Sequence, residues 1–157
     1  MEKKVILIVE DDPTVGESLR QLLKKRGYGI LLASNGKEAL HLFRQEVVDL
    51  VITDLVMPKM DGLALLKEIK ARDPRVIFLM ITGYPTIETT VEAMKAGAYD
   101  YLPKPFHLED VSLRVERAME KWRMQKSLRT ARGLVWGLIL SLPFWLIIGV
   151  LIAIFWR

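Results

Sequence analysis

The stretch LVITDLVMPKMDG, residues 50–62, decides the fold. A short, mainly apolar run, Leu50–Thr53, ends at Asp54, and a turn containing Pro58 and Gly62 separates it from apolar residues at helical spacing: Leu63, Leu65, Leu66 and Ile69. Short runs that are rich in Val and Ile and apolar on both faces are typical of parallel strands covered by helices. The stretch therefore predicts a strand–helix unit with an acid, Asp54, at the carboxyl end of its strand.

The same unit recurs through the first 121 residues. Strands are predicted at five apolar runs: Val5–Val9, Ile30–Ala33, Leu50–Thr53, Val76–Ile81 and the shorter Tyr99–Leu102. Apolar residues at helical spacing follow each run, and Gly27 and Gly97 lie where helix C-terminal caps are expected. Five strand–helix units in strict alternation predict an α/β protein with a doubly wound, five-stranded parallel sheet.

The composition excludes several classes of protein. Hydrophobic residues make up 51% of the chain, which excludes intrinsic disorder. The chain has no cysteine, so a disulfide scaffold and thiolate metal sites are excluded as well. The first predicted strand is not followed by a glycine-rich phosphate loop, and this disfavours dinucleotide binding and P-loop chemistry.

Residues 134–156 form a run of 23 uncharged, mostly apolar residues. As a helix this run would be about 34 Å long, enough to cross a hydrocarbon core of about 30 Å. A buried core helix is the alternative, but a domain of this size could not cover every face of such a helix. The run therefore predicts a single C-terminal transmembrane helix.

The charge is divided unevenly along the chain, whose net charge is +4. Residues 1–120 contain seventeen Lys and Arg against nineteen Asp and Glu, whereas residues 121–157 contain six basic residues and no acid. Cations beside a membrane span set its topology and bind anionic lipid. We therefore expect residues 122–133 to be a basic juxtamembrane linker, with no nucleic acid as partner and the N-terminal domain in the cytoplasm.

Side chains with phosphoryl and metal chemistry lie at the carboxyl ends of the predicted strands. Ligands bind at this edge of a doubly wound sheet, and the residues found there are Glu10, Asp11, Asp12, Asp54, Thr82 and Lys104. Clustered carboxylates repel one another unless a cation neutralises them, and hard oxygen ligands favour Mg²⁺. A carboxylate can also accept a phosphoryl group as a nucleophile. Taken singly, each acid could instead be solvated or cap a helix, as expected of Asp12 before Pro13.

Four motifs together resemble the receiver domain of two-component response regulators. They are VILIVEDD (5–12), VITDLVMPKMDG (51–62), LMITG (79–83) and GAYDYLPKPF (97–106), and the resemblance covers residues 3–121. It implies a flavodoxin-like (βα)5 fold, with residues 1–121 as the receiver domain.

The resemblance also implies roles for the residues of the site. Asp54 matches the phospho-acceptor aspartate of the family, and Lys104 matches its invariant lysine. Glu10 and Asp11 match the acidic pair that binds Mg²⁺, Asp11 directly and Glu10 through water. Asp54 itself and the backbone carbonyl of Val56 complete the implied metal ligands.

Two further residues match the conformational switch of the family. Thr82 matches the switch hydroxyl and Tyr101 its aromatic partner, while the bond Lys104-Pro105 matches a peptide bond that is usually cis. Gly83 departs from the family, which usually has alanine there. Tyr101 on its own could equally be an ordinary, half-buried strand aromatic.

The resemblance and the apolar run together predict a membrane-tethered receiver. It would accept a phosphoryl group from a sensor histidine kinase or a phosphotransfer protein and signal through a phosphorylation-switched surface. We expect it to catalyse only its own phosphorylation and dephosphorylation, as a single-pass protein of the bacterial inner (cytoplasmic) membrane. Membrane lipid and a membrane protein are its other expected partners. The alternative is a structural or assembly module in the membrane, whose receiver is a phosphorylation-insensitive interaction domain.

Overall fold

The computed structural model describes residues 3–121, 123, 124 and 148. It divides the chain into two compact units, Met1–Met119 and Glu120–Arg157, and the first unit contains the whole sheet. Apart from residue 148, the predicted span 134–156 lies outside the described residues, as does most of the linker 122–133. Within the described part of the chain, none of the helices has the length and hydropathy needed to cross a membrane.

Five parallel strands form a single sheet in the order β2-β1-β3-β4-β5. The strands are Val5–Val9 (β1), Gly29–Ala33 (β2), Leu50–Asp54 (β3), Ile77–Thr82 (β4) and Asp100–Pro103 (β5). The helices are Pro13–Lys25 (α1), Gly36–Gln45 (α2), Gly62–Arg72 (α3) and Ile87–Lys95 (α4), and helical residues 108–121 belong to a fifth (α5). The predicted five-stranded, doubly wound α/β fold is therefore confirmed.

The three central strands are buried on both faces. Every residue of β3 and β4 is buried, and Leu7, Val51 and Phe78 have no accessible surface. This explains why the runs are apolar throughout, since helices cover the sheet on both sides. The chain passes from β1 to β2 on one side and then to β3 on the other. The carboxyl ends of β1 and β3 therefore flank the topological switch point, where ligands of such sheets bind.

Several predicted strand boundaries were wrong by one residue. β4 begins at Ile77 because the N–H of Val76 is used in a turn, where it donates to the carbonyl of Asp73. β2 begins one residue earlier than predicted, at Gly29, which pairs with Val5. β5 begins and ends one residue later than predicted. Hydrophobicity marks which residues are buried, whereas the hydrogen-bonded register decides where a strand ends.

Local capping confirms the predicted role of Asp12. Its carboxylate accepts hydrogen bonds from the backbone N–H groups of Thr14 and Val15, and Pro13 is the first residue of α1. At the other end of this helix, Gly27 has a φ of 91°, which glycine adopts without steric cost. These two signals define both ends of the helix that follows the acidic motif.

Candidate functional site

Three carboxylates meet at the carboxyl ends of β1 and β3. Glu10, Asp11 and Asp54 each place an oxygen within 4.8 Å of the others. Glu10 and Asp54 are buried, at 7% and 8% exposure, whereas Asp11 is exposed. The cluster is thus a pocket with a buried floor and one acid at its open side.

Lys104 bridges the two buried acids. Its Nζ lies 2.6 Å from Asp54 Oδ2 and 2.8 Å from Glu10 Oε2, and it contacts the second Glu10 oxygen at 3.1 Å. The backbone N–H of Lys104 donates to the carbonyl of Thr82 at 2.6 Å, and the predicted cis bond to Pro105 is present. The side chain therefore reaches across the end of the sheet from β5 to β1 and β3.

The pKa values of this cluster reflect burial and pairing. Burial raises the pKa of Glu10, although its hydrogen bond to Lys104 acts in the opposite direction. Burial by itself would lower the pKa of Lys104, but hydrogen bonds to Asp54 and Glu10 raise it above its usual value. Lys104 therefore remains a cation at neutral pH, while a charged Glu10 is costly without a neighbouring cation.

The side chain of Asp54 is oriented from two directions. Its Oδ1 accepts a hydrogen bond from the backbone N–H of Val56 at 3.1 Å, and its Oδ2 accepts from Lys104. Its backbone is packed tightly against Gly62, whose N–H donates to the carbonyl of Leu55 at 2.9 Å. An oriented carboxylate beside a fixed ammonium group is suited to attack an anionic phosphoryl group.

Thr82 and Tyr101 lie on neighbouring strands beside the pocket. Thr82 is fully buried at the end of β4, and its hydroxyl accepts a hydrogen bond from the N–H of Tyr84 at 3.2 Å. Tyr101, on β5, is half-buried, and its hydroxyl lies 3.2 Å from Oγ1 of Thr89 on α4. The two predicted switch residues are thus each engaged with the segment that contains α4.

Sequence reasoning missed Thr89 and Tyr84 as partners of these residues. Thr86 and Thr89 stand three positions apart, a spacing typical of a capping box, so the capping role of Thr89 was accessible from the sequence. Its contact with Tyr101 was not, because the eleven intervening residues give no signal of the packing between α4 and β5.

The donor set of the pocket fits Mg²⁺. Three carboxylates whose oxygens lie close together offer hard ligands in a partly open site. In such sites Mg²⁺ keeps several of its waters and also binds phosphate oxygens. The exposed position of Asp11 leaves that acid accessible to an ion arriving from solvent.

The site combines an acidic pocket, a bridging lysine and an oriented aspartate at the switch point of a doubly wound sheet, an arrangement suited to phosphoryl transfer. The sequence profile of the response regulator receiver domain matches residues 6–116. The chain belongs to the response regulator receiver domain family. Members of this family are phosphorylated on an aspartate and bind Mg²⁺ in an acidic pocket. Their partner is a histidine kinase or a phosphotransfer protein.

Curated relatives are longer regulatory proteins. The regulatory protein AtoC of Escherichia coli K12 is 38% identical over 141 residues, which cover 87% of this chain and 31% of AtoC. The transcriptional regulatory protein ZraR of the same strain is 45% identical over 114 residues, which cover 73% of this chain and 26% of ZraR. The chain thus spans less than a third of the length of either relative. Because the similarity to AtoC covers 87% of this chain, it extends beyond residue 121 into the basic linker, residues 122–133.

Solved structures share the fold. A receiver domain protein (CheY-like) from Methanospirillum hungatei JF-1 superposes with a TM-score of 0.77 at 30% identity, covering 79% of this chain and 99% of that one. NtrX from Brucella abortus gives a TM-score of 0.76 at 32% identity, covering 81% of this chain and 29% of NtrX. These matches confirm the flavodoxin-like receiver fold.

Proposed function

We propose that this chain is a membrane-tethered receiver that accepts a phosphoryl group on Asp54 from a sensor histidine kinase or a phosphotransfer protein. The observation that carries the proposal is the bridge from Lys104 to both Asp54 and Glu10. It places a fixed cation against the predicted nucleophile, inside a pocket whose third acid, Asp11, is open to solvent.

The proposed reaction transfers a phosphoryl group from nitrogen to oxygen. A carboxylate oxygen of Asp54 attacks the phosphorus of a phosphohistidine, a P–O bond forms, the P–N bond breaks, and the released imidazole nitrogen takes up a proton. Lys104 donates to the phosphoryl oxygens and balances their charge, as it now does for the two buried acids. The chain has no separate substrate to turn over, so the only other reaction we assign to it is hydrolysis of its own acyl phosphate.

Four groups would hold Mg²⁺ in this proposal: Glu10, Asp11, Asp54 and the backbone carbonyl of Val56. Bound there, the ion neutralises negative charge on the transferred group and on the clustered acids. Burial of Glu10 is consistent with such a role, because its carboxylate needs a cation nearby to remain charged.

The output of the proposed receiver is a surface formed by α4, β5 and α5. Phosphoryl oxygens on Asp54 attract the hydroxyl of Thr82, which leaves the N–H of Tyr84 and opens space for Tyr101 to rotate inward. The change biases a two-state equilibrium that exists without phosphorylation.

Membrane tethering rests on the sequence of residues 122–156. The run 134–156 is long and apolar enough to span a bilayer, and the basic residues before it favour a cytoplasmic receiver in the inner membrane. Some relatives bear names such as DNA-binding transcriptional regulator NtrC. We assign the linker cations to anionic lipid rather than nucleic acid because they directly precede the apolar run.

The proposal is tested by phosphorylating the full-length chain in mild detergent with a small-molecule phosphodonor and Mg²⁺. We expect the intact mass to increase by one phosphoryl group in the parent chain and in Asp12→Asn, whose asparagine also caps a helix. Asp54→Asn should gain none. Equal labelling of Asp54→Asn and the parent would contradict the assignment, and a parent that takes up no label would favour a phosphorylation-insensitive assembly module.

A further inference from the structure

A chain of three hydroxyl groups joins the N-terminus of α4 to β5. Oγ1 of Thr86, the N-cap residue, lies 3.0 Å from Oγ1 of Thr89, which in turn lies 3.2 Å from the hydroxyl of Tyr101. Thr86 and Thr89 also form a reciprocal capping box, in which each backbone N–H donates to the other side chain at 3.1–3.2 Å. Thr89 is therefore part of the helix cap and a partner of Tyr101 at the same time.

The hydroxyl of Thr89 has several hydrogen-bonding neighbours, of which Tyr101 is the one on the sheet. A threonine hydroxyl has one hydrogen and two lone pairs. Its oxygen accepts from the N–H of Thr86, and its hydrogen can point to the carbonyl of Thr86, 3.2 Å away. The hydroxyls of Tyr101, at 3.2 Å, and of Thr86, at 3.0 Å, also lie within hydrogen-bond distance, so four groups surround the three hydrogen-bonding positions of Thr89. Rotation of Tyr101 away from α4 leaves the hydroxyl of Thr89 with one partner fewer.

Within the described part of the chain, few other contacts hold helix α4 in place. Of its nine residues only Ala93 is buried. Ile87 is 81% exposed, and Val91 and Met94 are a little under half exposed. The ion pair between Lys67 and Glu92 spans 2.8 Å, but both side chains are more than half exposed, so it contributes little. The hydroxyl chain is therefore a substantial part of what fixes the N-terminal end of α4 against the sheet.

We propose that Thr89 is a positioning residue that couples the side chain of Tyr101 to the cap of α4. The inference rests on the proposed function, in which phosphorylation of Asp54 causes Tyr101 to rotate inward. Tyr101 then gives up its bond to Thr89, the cap loses a partner, and α4 opens more readily. The bond thus favours the unphosphorylated conformation and opposes the switch.

The test is hydrogen–deuterium exchange of the α4 amides, measured by mass spectrometry on the full-length chain in mild detergent, with and without phosphodonor. Exchange from the native state reports how often a segment opens. Without phosphodonor we expect Tyr101→Phe to speed exchange about fivefold, the effect of losing one net hydrogen bond. Thr89→Val should speed it further, because it also removes the acceptor of the Thr86 N–H. The double variant should exchange no faster than Thr89→Val, which already lacks the bond to Tyr101. Thr89→Ser, which keeps the hydroxyl, should behave like the parent chain.

Thr90→Val is the matched control. Thr90 is the next residue of the same helix, and its Oγ1 donates to the carbonyl of Thr86 at 2.8 Å. It should leave the response to phosphorylation unchanged, whereas phosphorylation should speed exchange in the parent and add little in Thr89→Val. Parent-like exchange in Tyr101→Phe or in Thr89→Val, or equal acceleration in Thr90→Val, would overturn the inference. A parent that is not phosphorylated would overturn the proposed function instead, while the experiment without phosphodonor still decides the role of Thr89.

Discussion

Gly62 shows how closely single residues define the position of Asp54. A methyl group at this position would overlap the backbone oxygen of Asp54 and lie 3.0 Å from its carbonyl carbon. Backbone atoms cannot move aside as a flexible side chain can. Any residue larger than glycine must therefore displace the strand end that carries the predicted phospho-acceptor.

Gly62→Ala is accordingly expected to destabilise the fold by about 1–3 kcal/mol, the usual effect of overpacking a filled site. Urea unfolding of the variant and the parent measures the difference. Gly83→Ala is the control, because a methyl group at Gly83 meets nothing within 4 Å among the described residues. Equal stability of Gly62→Ala and the parent would show that the backbone here yields easily.

The proximity of Glu10, Asp54 and Lys104 could be predicted from the sequence alone. Parallel strands end at one edge, so acids and a lysine that follow different strands converge there. What could not be predicted is that one ammonium group contacts both buried acids, because this depends on the path of the side chain. The bond between Thr89 and Tyr101 was inaccessible for the same reason.

At the scale of single elements, the start of α2 is held by an acid. Asn35 caps the helix, and Glu38 Oε2 accepts hydrogen bonds from the backbone N–H and the hydroxyl of Ser34 at 2.8 and 2.7 Å. These bonds lower the pKa of Glu38 below its ordinary value of 4.5. A lowered carboxyl pKa means that the charged form stabilises the fold above this pH and that the stabilisation is lost as pH falls.

Glu38→Gln should therefore be slightly less stable than the parent at pH 7, since glutamine keeps an acceptor oxygen but carries no charge. The difference should shrink as the pH falls below 4.5, because the unfolded parent then takes up a proton at Glu38 more readily than the folded parent. Urea unfolding of both chains at pH 7 and at pH 3.5 tests this, provided that both are folded. A difference that grows on acidification would contradict the assignment.

The hydroxyl of Ser112, on α5, is buried and has no hydrogen-bond partner among the described residues. A buried hydroxyl without a partner costs about 1–3 kcal/mol, so Ser112→Ala should raise the free energy of unfolding by about 1 kcal/mol or more. Ser18→Ala is the control for helix propensity, because Ser18 is a partly exposed helical serine whose hydroxyl donates to Thr14 at 2.8 Å. A loss of stability in Ser112→Ala, relative to this control, would show that the hydroxyl has a favourable partner.

The strands also show that hydrophobic patterning predicts where a strand lies but not the residue at which it begins or ends. The apolar runs located all five strands, because strands covered on both faces must be apolar throughout. Strand ends were displaced by one residue, as at Val76, where a turn rather than hydrophobicity decides the boundary.

At the scale of the whole molecule, charge and hydropathy divide the chain into a near-neutral receiver and a basic, then apolar, C-terminal segment. The doubly wound sheet followed from strict strand–helix alternation, which leaves few topologies available, and the receiver fold followed from the resemblance of the four motifs to the family. The membrane span remains a prediction from residues 134–156, since residue 148 alone of that run is among the described residues.

Membrane insertion has two directly measurable consequences. The full-length chain should stay in the membrane fraction after an alkaline wash, because an apolar span is not released by removing charge interactions. Protease added to inverted inner-membrane vesicles should digest the receiver, whereas protease added outside intact spheroplasts should not. Recovery of the chain in the soluble fraction, or the reverse pattern of digestion, would contradict the proposed location.

The central claim, that Asp54 accepts the phosphoryl group, is tested most directly by locating the group on the chain. The parent chain is phosphorylated with a small phosphodonor and Mg²⁺, reduced with borohydride, which converts an aspartyl phosphate to homoserine, and then sequenced by mass spectrometry. We predict homoserine at residue 54 and at no other aspartate, and none when EDTA is present during phosphorylation. Homoserine at another aspartate, or unmodified Asp54 in a phosphorylated chain, would contradict the account.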